Sequence, residues 1–290
     1  MNKNRSPKLS LITAMSIFGT MGIFRRSIPL SSPLLAMLRG AIGTLFLLVL
    51  LRLKQQPLDR AAIRKNAPLL CLTGTCIGIN WILLFESYRF TSVATATLCY
   101  YMAPILVILA SPIVFKERLT PKKCLCAAVA FCGMILISGV LKSGFSGIAD
   151  LKGVFLALGA AVLYATVMML NKRLQGIGAY DRTILQLGSA AIVLSPYVLL
   201  TEDWAAVTVT PVVVLLVLIL GTVHTGWTYA LYFGTISRLP AQTVALFSYS
   251  DPIVAIFLSA VLLREGLTLT SAIGAVLVLG STLVSELTKD

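Results

Sequence analysis

Residues 95–120 read TATLCYYMAPILVILASPIVFKERLT, and residues 243–268 read TVALFSYSDPIVAIFLSAVLLREGLT. At a constant offset of 148 residues, ten of these 26 positions are identical: Thr95/Thr243, Leu98/Leu246, Tyr101/Tyr249, Pro104/Pro252, Ile105/Ile253, Ile108/Ile256, Ser111/Ser259, Glu117/Glu265, Leu119/Leu267 and Thr120/Thr268. Shared hydrophobicity does not account for the match, because proline, tyrosine, glutamate and threonine take part in it. A weaker echo pairs Phe18 with Tyr164 and Arg25–Arg26 with Lys172–Arg173. The chain is read as an internal duplication, one repeat in residues 1–146 and the other in 147–290.

Both copies lie in long apolar runs. A membrane helix needs about 20 mostly apolar residues. Ten such runs mark the chain, at 9–24, 33–51, 67–86, 92–115, 123–141, 152–171, 183–201, 211–235, 241–263 and 268–286. The repeated stretch is run four in one half and run nine in the other. Five runs per half is an odd number, so the halves cross a bilayer in opposite senses. The expected fold is all-α and integral to the membrane: ten transmembrane helices in two inverted five-helix repeats around a central cavity. That architecture belongs to secondary transporters, whose substrate site lies near the midplane between the repeats.

Composition agrees. The 290 residues are 58% hydrophobic and 12% charged, against about 25% charged in an ordinary soluble domain. A soluble enzyme, a disordered chain and a nucleic-acid-binding domain are excluded on this ground. The net charge of +13 comes from lysines and arginines in the short segments between runs. Seventeen fall on the side of the N-terminus and six on the other, with Arg39 inside a run. The positive-inside rule puts both termini in the cytoplasm, in a multi-pass protein of the cytoplasmic membrane. The first run ends at Arg25–Arg26 without a small-residue cleavage site, so it reads as a retained helix and not a secretory signal. Cys71, Cys76, Cys99, Cys124, Cys126 and Cys132 all fall in or beside apolar runs without metal-binding spacing, and read as packing residues. No metal site and no cofactor is expected. No Walker motif, HExxH or GxSxG is present.

An ionisable group at the bilayer centre costs about 2.5–3.5 kcal/mol on insertion scales, so it faces a polar cavity or has a partner. Asp251 lies about eleven residues into run nine, next to Pro252, which frees a carbonyl and is expected to kink the helix. Its repeat mate is Ala103, so the carboxylate is present in one half only. His224, the chain's one histidine, lies near the middle of run eight, with Trp227 and Thr228 at helical spacing on its face. Asp251 and His224 are the candidates for proton coupling, each with packing as the competing reading. Arg39 and Glu86 have matching depths in adjacent runs and read as a gating or structural ion pair. Glu86 and Arg89 offer a local alternative at i, i+3. Asn80, Trp81, Tyr101, Tyr164 and Tyr249 gather at similar depth. With His224, Trp227 and Asp251 they are the candidate lining for an amphipathic small-molecule substrate. Gly74 and Gly78 have the spacing of a close helix contact. Thr13, Ser16 and Thr20 form a polar stripe that faces a cavity or bonds backbone carbonyls. Glu202 and Asp203 read as a solvated loop.

The stretches TSVATATLCYYMAPILVILASPIVFKERLT and GTVHTGWTYALYFGTISRLPAQTVALFSYSDP resemble the EamA-type family of the drug/metabolite transporter superfamily, and the resemblance extends over both halves. It implies ten helices in two inverted repeats carrying small metabolites, often amino acids, by alternating access, and in many relatives exporting them. It also implies an acidic group before the proline, where Asp251 stands. The family mostly has small or apolar residues where this chain has Glu86 and His224. The expectation is a non-enzymatic carrier of small organic metabolites, facilitative or proton-linked, working as a monomer or homodimer, with the lipid bilayer as its other partner and no nucleic acid. An intramembrane enzyme and a lipid flippase are the alternatives.

Overall fold

The computed structural model describes residues 6–21, 24, 27–91, 93–138, 148–262 and 269–287. Lys3, Arg5, Arg25, Arg26, Lys142, Arg264, Glu265 and Lys289, all used in the charge or repeat arguments, lie outside them. Among the described residues the backbone is helical with short connections. The order is α1 (Pro7–Gly19), α2 (Ser32–Leu53), α3 (Arg60–Ser87), α4 (Val93–Tyr100), α5 (Ala103–Phe115), α6 (Pro121–Ser138), α7 (Ile148–Arg173) and α8 (Ala179–Thr201). Then come α9 (Pro211–Ile219), a π-helical segment (Leu220–Trp227), α10 (Thr228–Ile236), α11 (Ala241–Ser248), α12 (Ser250–Leu262) and α13 (Leu269–Leu287). Among the described residues, the apolar runs are largely helical, with breaks after Tyr100 and Ser248. Among the described residues, six stretches are long and apolar enough to cross a bilayer: Ser32–Leu53, Arg60–Ser87, Leu98–Phe115, Leu151–Arg173, Ala179–Thr201 and Pro211–Ile236. The protein is a multi-pass helical membrane protein.

Local chemistry sets the helix starts. Proline opens several of them, where its missing N–H costs nothing and its φ is already helical. In α2, Ser31 caps the first turn by accepting from the Leu34 amide at 3.3 Å, with Pro33 just inside. In α9, Thr210 caps Val213 at 3.3 Å ahead of Pro211. The Ser31 hydroxyl also donates to a Glu202 carboxylate oxygen. Glu202 is therefore not merely a solvated loop residue, as its sequence context suggests: it secures the start of α2.

The chain packs as two compact units, one of residues 1–82 and 170–238, the other of 83–169 and 239–290. Each draws on both sequence repeats, and the boundaries pass through α3 and α7. Packing units thus differ from repeats, since a repeat follows chain order and a unit follows contact. In the first unit, α2 lies against α8 and the π segment. Leu34, Leu35, Val198, Val217 and Leu220 are among the buried side chains of one cluster there, while Leu47, Leu51, Ile184 and Ala230 form another. Gly74 and Gly78 meet α8 as their spacing implies: a Cβ at Gly74 would sit 2.6 Å from the Gln186 carbonyl, and one at Gly78 3.1 Å from that of Ala190. In the second unit, α6 packs on α13, and Ala130, Met134, Tyr249 and Val278 form the core.

Candidate functional site

In the first unit the site is organised by a wide turn. GTVHTGW, residues 221–227, lies in the π-helical stretch, a form common at functional sites. The glycines permit it to lie backbone-close to α2: a Cβ at Gly226 would stand 2.9 Å from the Phe46 ring and 3.1 Å from the Gly43 carbonyl. The freed carbonyls are met by hydroxyls five residues on. Thr225 donates to Leu220 and Thr228 to Val223, each at 2.8 Å.

His224 is buried, 3% exposed. Its Nε2 lies 2.7 Å from Thr20 Oγ1, and that hydroxyl lies 2.7 Å from the Ile17 carbonyl. A carbonyl only accepts, so Thr20 donates to Ile17 and accepts from Nε2–H. The neutral ring then carries its proton on Nε2. Nδ1 is buried, and among the described residues no group meets it in hydrogen-bond geometry. The Phe24 ring stands edge-on at 4.7 Å. Arg39 is also buried. Its Nε donates to Thr225 Oγ1 at 3.2 Å, its Nη1 points at Met21 Sδ at 3.1 Å, and its guanidinium lies 4.9 Å from the Trp81 ring centre. Trp81 continues edge-on to Tyr229 at 6.3 Å, and Asn80 is buried beside it in sequence. A fixed cation, an imidazole nitrogen and aromatic walls are thus gathered on α1, α2, α3 and the π segment. Such a set suits hydrogen bonding and charge recognition of a small polar group.

Trp227 does not join them. It is 45% exposed, whereas Thr228 is fully buried. The expectation of one shared face assumed α-helical spacing, and the i→i+5 turn rotates the third residue away. The Thr13 and Thr20 hydroxyls bond carbonyls of their own helix, and Thr20 adds the link to His224.

In the second unit the two copies of the repeat break at corresponding places. Helix α4 ends at Tyr100 and α5 starts at Ala103, while α11 ends at Ser248 and α12 starts at Ser250. Each break carries a tightened i→i−3 bond, Met102 N to Cys99 O at 3.1 Å and Tyr249 N to Leu246 O at 3.2 Å. The cause is local. Pro104 and Pro252 have no N–H for the carbonyl four residues back. The repeat-related tyrosines tie the breaks together: Tyr249 is fully buried and donates its hydroxyl to the Tyr101 carbonyl at 3.1 Å. The Tyr101 side chain and the half-buried Asp251 carboxyl are electrostatic neighbours. Tyr164 stacks on Tyr100, with ring centres 5.4 Å apart and planes 12° from parallel. Glu86 pairs with Arg89 at 3.1 Å, the local alternative noted above. Arg39 belongs to the first unit and Glu86 to the second.

One buried polar network was not anticipated. Arg182, counted by sequence as a surface charge, is 3% exposed. It donates to the carbonyls of Asn171 (3.2 Å), Phe233 (3.0 Å) and Leu174 (3.1 Å), near the ends of α7 and α10. One turn along α8, the fully buried Gln186 amide donates to Thr73 Oγ1 at 2.6 Å and Asn171 Oδ1 at 3.0 Å. The legible signal was Asn171 and Gln186, amides set in apolar runs. Among the described residues, no three His, Cys, Asp or Glu side chains gather as metal ligands, and the described cysteines are free thiols.

Comparison with known proteins puts this geometry in context. A crystal structure of another protein superposes with a TM-score of 0.87 at 20% identity, covering 98% of this chain and 99% of the other, which establishes a shared fold. The uncharacterized transporter YxxF of Bacillus subtilis (strain 168) is 29% identical over 262 residues, 87% of this chain and 80% of its own length. An uncharacterized transporter of Archaeoglobus fulgidus is 27% identical over 261 residues, 87% of this chain and 88% of its own. The sequence pattern of the EamA-like transporter family matches twice, over residues 6–139 and 151–286, and the chain belongs to that family.

Proposed function

We propose that this membrane transporter is a secondary carrier that exports small organic metabolites, amino acids or related amphipathic compounds, across the cytoplasmic membrane by alternating access linked to protons. Ten spans in two inverted repeats, 1–146 and 147–290, would enclose the substrate path, with both termini cytoplasmic. The observation that carries this reading is the pair of helix breaks before Pro104 and Pro252. Non-helical backbone at membrane depth is tolerated only where protein buries it or a water-filled cavity meets it, and carriers build substrate sites from such breaks. The break in α4–α5 falls about nine residues into the span, or ~13 Å at 1.5 Å per residue, close to half-depth. Asn80, Trp81, Tyr101, Tyr164, Tyr249 and Asp251 are assigned to the substrate. Trp227, on an exposed face of the π segment, and His224 complete the assigned substrate lining. His224 and Asp251 are assigned to the proton, and Arg39 with Glu86 to gating. The test is flux of a radiolabelled amino-acid panel in reconstituted vesicles, with and without a pH gradient, for the wild type, His224→Asn and Asp251→Asn. Flux that follows the gradient in the wild type and is lost or uncoupled in the variants supports the assignment. Identical flux and identical pH response in all three would remove it.

A further inference from the structure

Away from the broken helices, the connection between α2 and α3 holds a cleft of about 260 Å³. Its floor is apolar, from Leu48, the buried Leu51 and Leu58, and its rim carries Arg52 and Arg60. Arg52 stands in the last turn of α2 and Arg60 opens α3, so the connection folds two guanidinium groups onto one small hollow. Neither side chain has a hydrogen-bond or ion-pair partner in the protein among the described residues. The other charges of this connection are committed elsewhere. Asp59 accepts from the Ala62 amide at 2.9 Å, and Lys54 lies over the Tyr180 ring at 5.5 Å. A neighbouring cleft of about 350 Å³ shares Leu51, Gln56 and Pro57 and is lined by Asp181 and no arginine, so it lacks the paired guanidinium groups of the first. From the arginine cleft an apolar lane runs back along α2. Leu45, Val49 and Leu53, spaced four residues apart on one face, are 61%, 54% and 77% exposed.

We propose that this cleft binds the phosphate of an anionic phospholipid, with Arg52 and Arg60 on the phosphate and an acyl chain along Leu45, Val49 and Leu53. Guanidinium groups suit phosphate because their planar donors match its oxygens two at a time. Basic pockets beside membrane helices hold acidic headgroups for the same reason. The lane favours a lipid over a free anion, because a soluble phosphate gains nothing from exposed leucines. The site is independent of which metabolite the protein carries.

Native mass spectrometry of the full-length protein in detergent tests this, with dioleoylphosphatidylglycerol, dioleoylphosphatidylcholine and inorganic phosphate as probes. Phosphatidylglycerol adducts are expected to exceed phosphatidylcholine adducts, and affinity to fall about five-fold for each arginine removed in Arg52→Gln, Arg60→Gln and the double variant. Arg64→Gln with Lys65→Gln, which removes the same charge outside the cleft, should leave the adducts intact. Both arginines are on the surface, and the single variants keep the test open should the double variant not fold. Equal adducts with both lipids, adducts that survive in the Arg52 and Arg60 variants, or an equal loss in the Arg64/Lys65 control would overturn the proposal. Displacement of the lipid by millimolar inorganic phosphate would overturn its assignment to a lipid.

Discussion

Replacing Arg182 with methionine keeps most of the side chain's length and removes its donors. Three carbonyls, of Asn171, Leu174 and Phe233, lose hydrogen bonds of 3.0–3.2 Å from a cation. Each bond from a charged donor contributes about 1.5–3 kcal/mol, so the gross loss is roughly 5–9 kcal/mol. Against this, burying a guanidinium costs several kcal/mol, which the variant recovers, and Arg182 Nε is itself buried without a partner among the described residues. The balance leaves Arg182→Met less stable by about 3 kcal/mol. At about 2–4 °C per kcal/mol for a chain of this order of size, the unfolding midpoint should fall by roughly 6–12 °C. Fluorescence-monitored thermal unfolding in detergent measures it. Arg182→Lys should fall between, since one ammonium does not span three carbonyls, and Arg173→Met, at an exposed position, should stay near the wild type. If Arg182→Met and Arg173→Met melt together, the carbonyl clamp is not holding these helix ends and the reasoning is wrong.

Three further outcomes follow from the same structure. Thr20→Val removes the acceptor of the buried His224 Nε2, at about 1–3 kcal/mol; Thr20→Ser should restore the midpoint, and an unshifted Thr20→Val would show the contact to be idle. Gly74→Ala places a methyl 2.6 Å from the Gln186 carbonyl, which forces α3 from α8 at about 1–3 kcal/mol. Gly280→Ala meets nothing within 4 Å and should be neutral or slightly stabilising by its helix propensity, so equal melting of the two glycine variants would refute the close-contact reading. Tyr249→Phe deletes the hydroxyl bond to the Tyr101 carbonyl and should cost about 1 kcal/mol in the same melting assay. A midpoint matching the wild type would mean the two helix breaks are not linked through it.

The membrane class, the all-helical character and the transporter family were legible in the chain itself. A helix in lipid satisfies its own backbone, so hydropathy and length alone locate it. The break at Pro252 was legible too, because a proline's missing donor acts within one turn, and its repeat mate Pro104 accompanies the second break. Of the site, the polar residues were found, but not their partners. His224 and Asp251 stood out as ionisable groups in apolar surroundings, while Thr20 as the partner of His224 came only from packing. The π turn, which leaves Trp227 more exposed than His224 and Thr228, has no local sequence pattern that announces it. Arg182 sits one helix turn from a loop, where sequence counts an arginine as topogenic charge, and only the convergence of α7, α8 and α10 makes it a buried clamp. The sequence by itself determined where the chain is helical and membrane-embedded, since those properties depend on neighbours along the chain. The tertiary structure decided which polar groups meet, since a hydrogen bond between residues 20 and 224 depends on how helices far apart in sequence are packed.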